Sequence, residues 1–317
     1  MPPESVITRP ASAPAAPDAA TGKVRLALFV MVLFFGGSIP AYKLADHSFG
    51  PATANLGRFL IAAGVLTLVA RPRLSTAKGH VAKLLLIGTF GIGLMAALMA
   101  IGVDQGSATI GSIVIGLEPI GVALAALAFA GARLSRPALA ALIIGFAGAV
   151  VASGVLTEPA GKSPIEPMIL LFGTVVAFSI YTAMVRRVGV GVDPLAVAAV
   201  TQVGALFLVI PACILDITGK GMIRSSGVHP KALGAVLFLG FGSALAYLLL
   251  CKVISNQPPS RVAVSMFLTP MFGVMFSWLI VGEHLHLRDA LGGALVVGSL
   301  WISERTARPQ PMIALPD

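Results

Sequence analysis

Ten long apolar runs, separated by short polar segments, constrain the fold of this chain more than any other feature of its sequence. Each run is about 20 residues long, which is enough for an α-helix to cross the hydrocarbon core of a bilayer. We therefore predict ten transmembrane helices, over residues 24–44, 51–70, 82–103, 107–130, 137–156, 165–187, 194–215, 231–252, 258–281 and 287–303. The composition agrees, because 57% of the 317 residues are hydrophobic and only 11% are charged. The chain is expected to be an all-α protein embedded in a lipid bilayer.

The distribution of the 22 Lys and Arg residues indicates how the chain is oriented. Fifteen of them fall on one set of alternating connections, six fall on the other set, and Arg58 lies within a run. Cytoplasmic connections are the ones enriched in Lys and Arg. We expect a multi-pass protein of the cell inner (plasma) membrane with both termini cytoplasmic, including a disordered tail over residues 1–22 and a second tail over 305–317. Basic residues spread in this way do not form the continuous surface that nucleic acid requires.

The two halves of the chain also repeat each other. The segment GLEPIGVALAALAFAG beginning at residue 116 aligns with FLTPMFGVMFSWLIVG beginning at residue 267, so that Pro119 matches Pro270. This alignment predicts one five-helix repeat over residues 23–157 and another over residues 164–304. Because five is an odd number, the second repeat enters the membrane from the opposite side. Such inverted repeats are typical of secondary transporters that bind their substrate between the halves.

Three stretches resemble the EamA-type repeats of the drug/metabolite transporter superfamily. They are GRFLIAAGVLTLVA from residue 57, EPIGVALAALAFAGARLSRPALAALIIGFAGAVVASG from residue 118, and TPMFGVMFSWLIVGEHLHLRDALGGALVVGSLWIS from residue 269. The resemblance covers about residues 24–304. It implies a transporter of small metabolites built from two inverted five-helix repeats, without an ATP-binding domain. The Gly-Glu pair of the family repeat is intact as Gly282-Glu283, whereas the first half has Gly131-Ala132.

Glu118 and Arg58 are the acidic and the basic residue that lie deepest within the predicted membrane helices. A charged side chain at a helix centre costs about 2.5 to 3.5 kcal/mol on insertion scales, so it normally faces a partner or a wet cavity. Pro119 should also bend the helix that carries Glu118. The two charged residues are predicted to lie close enough in depth to pair. The pair is either the lining of a central cavity, where a substrate or a proton competes for it, or a structural ion pair.

The other candidate substrate-binding residues are polar or aromatic residues within the runs: Asn55, Thr201, Gln202, Thr269, Tyr181, Tyr247 and Trp278. Asn55 precedes Arg58 by three residues and therefore shares its helix face. The threonines match the two charged positions in the second repeat, which predicts an asymmetric cavity suited to an amphipathic metabolite. A threonine within a membrane helix more often bonds its own backbone. Tyr42 and Trp301 lie near the ends of their runs and are predicted to anchor the chain at the membrane interface.

The sequence gives little support to catalysis. All five histidines lie in loops or at the edges of runs, and the chain contains neither a Walker-type GxxxxGK[ST] motif nor a GxGD motif. The polar group Glu283, His284, His286 and Asp289 is predicted to be solvated surface instead of a metal site. We therefore expect no catalytic residues, no metal site and no cofactor. An intramembrane enzyme, or a passive channel or scaffold, are the alternative interpretations.

Our first interpretation is a secondary active transporter that exports a small-molecule substrate, a metabolite or drug, by alternating access. Proton coupling is a hypothesis that rests on the deep carboxylate of Glu118, and solute exchange is its alternative. Both a monomer and a homodimer are compatible with the sequence.

Overall fold

The computed structural model describes residues 17–45, 47–105, 117–129, 135–152, 165–220, 227–282 and 287–306. Within these ranges the regular structure is helical, which confirms the predicted all-α class. The α-helices are α1 (Pro17–Ala45), α2 (Pro51–Ala70), α3 (Val81–Ile87), α4 (Leu94–Gln105), α5 (Glu118–Phe129), α6 (Arg136–Ala152), α7 (Ile165–Val188), α8 (Pro194–Lys220), α9 (Pro230–Asn256), α10 (Pro259–Met266), α11 (Leu268–Phe276) and α12 (Leu287–Thr306).

Seven helical segments of the described residues are long and apolar enough to cross a membrane. They are Gly22–Ala45, Pro51–Ala77, Val81–Met99, Ile169–Val188, Pro194–Leu215, Pro230–Asn256 and Pro259–Ile280. Three shorter apolar helices, Glu118–Phe129, Arg136–Gly148 and Ala290–Ile302, fall in the fourth, fifth and tenth predicted runs. The count of ten membrane crossings therefore stays a prediction.

Two predicted helices are built from several pieces. The third run consists of α3, a π-helical segment over Gly88–Gly93, and α4. The ninth run consists of α10, α11 and a second π-helical segment over Ser277–Val281. A π-helical segment changes which side chains face a neighbouring helix, because it adds a residue to the local turn.

The structure differs from the sequence prediction at two helix starts. Helix α1 begins at Pro17, so residues 17–22 are helical instead of part of the predicted tail. Helix α5 begins at Glu118, so Pro119 lies in its first turn, where the missing N–H costs little. The kink predicted at Pro119 would be formed with the part of the run that precedes residue 117, and residues 106–116 lie outside the described part of the chain. Residues 1–16 and 307–317 also lie outside it.

The helices of the two halves pack reciprocally. Helix α1 packs against α9 and α11 of the second half, and α7 packs against α4 and α5 of the first half. Helix α2 packs against α8, and α6 packs against α12. The first helix of each half, α1 or α7, therefore packs against the third and fourth helical runs of the other half. The second helices of the two halves pack against each other, and so do the fifth helices.

Helices α2 and α8 run in opposite directions. Near the start of α2, Thr53 Oγ1 lies 3.9 Å from Sγ of Cys213, which is near the end of α8. At the other end, Nη1 of Arg73 forms an ion pair of 3.1 Å with Oδ2 of Asp193, the residue just before α8. Contacts at both ends of the pair thus fix its antiparallel orientation.

The backbones of α8 and of the third run are in direct contact. A side chain at Gly88 would collide with the carbonyl group of Thr201, and one at Gly204 would collide with the carbonyl group of Leu85. Thr89 Oγ1 lies in the same contact and donates a hydrogen bond to the Gly204 carbonyl oxygen at 2.9 Å. Small residues allow such close packing in membranes, and here they hold Thr201 in the interior.

Candidate functional site

Arg58 is the centre of a buried polar site where the two halves meet. Its side chain, on α2, is only 6% exposed. Nη1 donates a hydrogen bond to the hydroxyl oxygen of Tyr42 on α1 at 2.7 Å, and Nε donates one to Oγ of Ser243 on α9 at 2.5 Å. The guanidinium group therefore joins two helices of the first half to one helix of the second half.

The hydrogen bonds continue from Tyr42 to a fourth helix. The Tyr42 hydroxyl donates a short hydrogen bond to Oδ1 of Asn55, which shares the helix face of Arg58 as predicted. Nδ2 of Asn55 donates to the carbonyl oxygen of Ala96 on α4 at 3.4 Å. A chain of side-chain hydrogen bonds thus links α9, α2, α1 and α4.

The charge of Arg58 has no carboxylate counterion among the described residues. Its guanidinium carbon lies 5.7 Å from the ring centroid of Tyr42 and 5.3 Å from that of Phe59. Such cation–π contacts contribute about 0.5 to 2 kcal/mol and compensate only part of the cost of a buried charge. The Nη2 group makes no hydrogen bond to a described residue. These N–H groups are able to bind an anionic group.

The predicted ion pair between Arg58 and Glu118 does not form in this structure, although both residues are described. Glu118 is the first residue of α5, and α5 packs against α7 and α10 instead of against α2. Tyr247 on α9 is 1% exposed and interacts electrostatically with both charged groups. Tyr247 therefore interacts with both charges, although the two side chains are not paired with each other.

Tyr247 also joins an aromatic cluster. Its ring makes edge contacts with the rings of Phe35 at 5.4 Å and Tyr181 at 6.2 Å between centroids. The Tyr181 hydroxyl lies 3.4 Å from Oγ1 of Thr201 and 3.5 Å from Sγ of Cys251. The structure thus brings Tyr181, Tyr247 and Thr201 together, beside the Arg58 site.

The other predicted polar and aromatic residues have three different kinds of surroundings. Thr201 donates a hydrogen bond to the Val197 carbonyl oxygen of its own helix at 2.9 Å, the bond typical of a membrane threonine. The two amide atoms of the fully buried Gln202 side chain and Oγ1 of Thr269 are buried without a partner among the described residues. Trp278 is 47% exposed.

A narrow cleft adjoins Arg58. Besides Arg58 and Ser243, its lining includes Phe34, Ser38 and Phe238, and the space between them is too small for a water molecule. A second narrow cleft of mostly apolar lining includes Arg186. In that cleft, however, Nη1 of Arg186 donates to the carbonyl oxygens of Ile254 at 2.9 Å and Gln257 at 2.6 Å, at the end of α9.

Two residues of the site are not among those predicted from the sequence. The position of Tyr42 near the end of its run predicts an interface anchor, but α1 continues to Ala45 and Tyr42 is partly buried. The second residue, Ser243, has a signal in its spacing, since it lies four residues before Tyr247 and therefore on the same face of α9.

No group of His, Cys, Asp and Glu side chains in the described ranges is arranged to hold a metal ion. Of the polar group predicted as solvated surface after the ninth run, residues 283–286 lie outside these ranges.

The fold and the site define a helical membrane protein with a polar centre between its two halves. Comparison with known families identifies it further, because the EamA-like transporter family matches residues 23–154 and 166–304. The chain belongs to this family, which confirms the resemblance seen in its sequence.

Relatives of similar length support this membership. An uncharacterized transporter of Bacillus subtilis (strain 168), YvbV, is 26% identical over 92% of this chain and 96% of its own length. An uncharacterized transporter of Archaeoglobus fulgidus is 25% identical over 88% of this chain and 98% of its own length. A protein chain in a solved crystal structure has the same fold, with a TM-score of 0.76 and 18% identity over 90% of this chain and 98% of that chain.

Proposed function

We propose that this protein is a secondary active transporter that exports small metabolites or drugs by alternating access. Membership of the family gives the class of transporter. The observation that carries the mechanism is the hydrogen bonding of Arg58, which contacts Tyr42 of the first half and Ser243 of the second half. A solute that binds this cation changes the contacts that hold the two halves together, so its binding energy can shift their equilibrium.

The packing of the helices supports two inverted repeats. Helices α2 and α8 occupy the same place in their respective repeats and are antiparallel, as the contacts Thr53–Cys213 and Arg73–Asp193 indicate. The reciprocal packing of α1 and α7 is the pattern expected for halves related by a two-fold axis in the membrane plane. Halves related in this way can exchange conformations and open the same site to either side.

The narrow cleft beside Arg58 supports a conformational cycle. Its lining from α1 and α9 leaves no room for a solute. A solute therefore reaches Arg58 only when these helices move apart. If they open on one side of the membrane at a time, the protein transports the solute without forming a continuous pore.

The carboxylate of Glu118 is our candidate for proton coupling, because it interacts electrostatically with Tyr247, which also interacts with Arg58. Solute exchange is the other mode and requires no proton. The distribution of Lys and Arg supports an orientation in the inner membrane with both termini in the cytoplasm. Export then means transport out of the cytoplasm.

Counterflow in proteoliposomes tests the proposal. Vesicles that contain the purified protein are loaded with unlabelled solute and diluted into the same solute in labelled form, for amines, carboxylates, sugars and nucleosides in turn. We expect transient accumulation of at least one solute, its loss in Arg58→Gln, and its retention in Arg71→Gln, a matched arginine exposed just after α2. Labelled solute that only equilibrates would indicate a channel, and no flux of any solute would contradict transport.

A further inference from the structure

We infer that the substrates are small organic monoanions, in which a single carboxylate binds Arg58 and an apolar body lies against the aromatic side chains around it. This inference rests on the proposed function and names the substrate class of the same site.

The buried charge of Arg58 favours an anionic substrate. Its side chain is 6% exposed, and its hydrogen bonds go to two neutral hydroxyl groups instead of to an acid. A buried cation is stabilised most by an anion that it can bond directly, because the low dielectric of the interior strengthens the interaction. The planar guanidinium also matches the two oxygens of a carboxylate. Nη2, which makes no hydrogen bond to a described residue, provides donors for such an anion.

The lining of the cleft next to Arg58 sets the number of charges. Among the described residues that line this cleft, Arg58 is the only charged one. A second negative charge on the substrate would therefore lie between apolar side chains without a second cation to balance it. The site therefore favours a monoanion over a dicarboxylate or a phosphate dianion.

The apolar lining of the cleft also disfavours an amine beside the substrate carboxylate. The lining of the cleft next to Arg58 is apolar apart from two serines: Phe34, Phe35, Ser38, Leu239, Gly242 and Ser243 are among its residues. An α-ammonium group would lie against the guanidinium and find no carboxylate among the described residues that line the cleft. A phenyl or alkyl body, in contrast, finds aromatic and aliphatic side chains.

Four probes with one phenyl ring test this inference: phenylpropionate, phenylpropanol, phenylpropylamine and phenylalanine. Binding to the purified full-length protein is measured by calorimetry, with benzoate and phenylbutyrate added to vary the length. A hydrogen-bonded charge pair contributes about 1.5 to 3 kcal/mol, and each 1.4 kcal/mol is tenfold in affinity. We expect a carboxylate of this series to bind at least about tenfold more tightly than the alcohol, the amine and phenylalanine.

Variants connect that preference to Arg58. In Arg58→Gln the carboxylate should bind about tenfold or more weakly while phenylpropanol is unchanged. Arg58→Lys should keep part of the preference, and Arg71→Gln should keep all of it. Ser243→Ala provides a second test if Arg58→Gln does not fold, because it removes the acceptor of the Arg58 Nε hydrogen bond and keeps the charge. We expect it to change the affinity for the carboxylate a few-fold.

Three results would overturn the inference: no carboxylate binds, the alcohol or the amine binds as tightly as the acid, or Arg58→Gln keeps the preference. Failure of the inference is distinct from failure of the proposed function. Counterflow of cationic or neutral solutes alone would refute the anion site and leave a transporter, whereas the absence of all counterflow would refute transport.

Discussion

Replacement of Tyr42 by phenylalanine tests whether the hydrogen bonds around Arg58 hold the helices together. The hydroxyl of Tyr42 accepts a hydrogen bond from Nη1 of Arg58 and donates one to Asn55. Tyr42→Phe removes both bonds and leaves the aromatic ring, so the ring contact with the guanidinium is retained. The loss of stability therefore measures the hydrogen bonds themselves.

The size of the effect follows from the two bonds. A hydrogen bond to a charged group contributes about 1.5 to 3 kcal/mol and a neutral one about 0.5 to 1.5 kcal/mol. Bonds between membrane helices are weaker, about 0.6 kcal/mol on average, because the unfolded chain in the membrane also finds partners. We expect Tyr42→Phe to lower the free energy of unfolding by about 1 to 3 kcal/mol.

The measurement is reversible unfolding by sodium dodecyl sulfate in mixed micelles, followed by circular dichroism. Tyr181→Phe is the matched control, because the contacts of the Tyr181 hydroxyl are weak: Thr201 Oγ1 lies 3.4 Å away, a long distance between two hydroxyl oxygens, and Cys251 Sγ at 3.5 Å is a weak hydrogen-bonding group. It should cost less than about 0.5 kcal/mol. An equal loss in the two variants would refute our account of the Tyr42 site.

Two further predictions concern helix packing and coupling. Gly88→Val should prevent folding or lower the free energy of unfolding by several kcal/mol, on the order of the most severe core substitutions, because the valine side chain would collide with the Thr201 backbone. Gly64→Ala is the control and should be nearly neutral in the same unfolding assay, because there is open space around Gly64. Glu118→Gln should abolish solute accumulation driven by an imposed pH gradient and preserve counterflow if protons are coupled through this carboxylate, whereas unchanged pH-driven uptake would exclude it.

The sequence predicted those features that depend on local pattern. Helix α2 begins at residue 51 and ends at residue 70 as predicted, because Pro51 suits the first turn of a helix and the apolar run ends before Arg71. Asn55 and Arg58 share a face because their spacing of three residues guarantees it on any helix. The depth of the two residues in the run also follows from helical rise alone.

The partners of Arg58 could not be predicted in this way. Glu118 is predicted as the partner of Arg58 because the two residues lie at a similar depth in the membrane. Which helices are neighbours and how each helix is rotated, however, depend on the packing of the whole chain. The partner proved to be Tyr42, near a helix end, together with Ser243 from the other half. Trp278 illustrates the same limit, because it lies in a π-helical segment and is 47% exposed.

The most direct test of the account is the accessibility of the Arg58 cleft from each side of the membrane. Ser38 lines this cleft, and among the described residues its hydroxyl donates a hydrogen bond only to the Phe35 carbonyl oxygen of its own helix, so Ser38→Cys should fold. The variant also carries Cys213→Ala and Cys251→Ala and is treated in oriented vesicles with a thiol reagent that cannot cross the bilayer. Alternating access predicts reaction from either side, with a transported solute slowing both reactions. Reaction from one side alone, or from neither, would contradict a site that opens in turn to the two faces of the membrane.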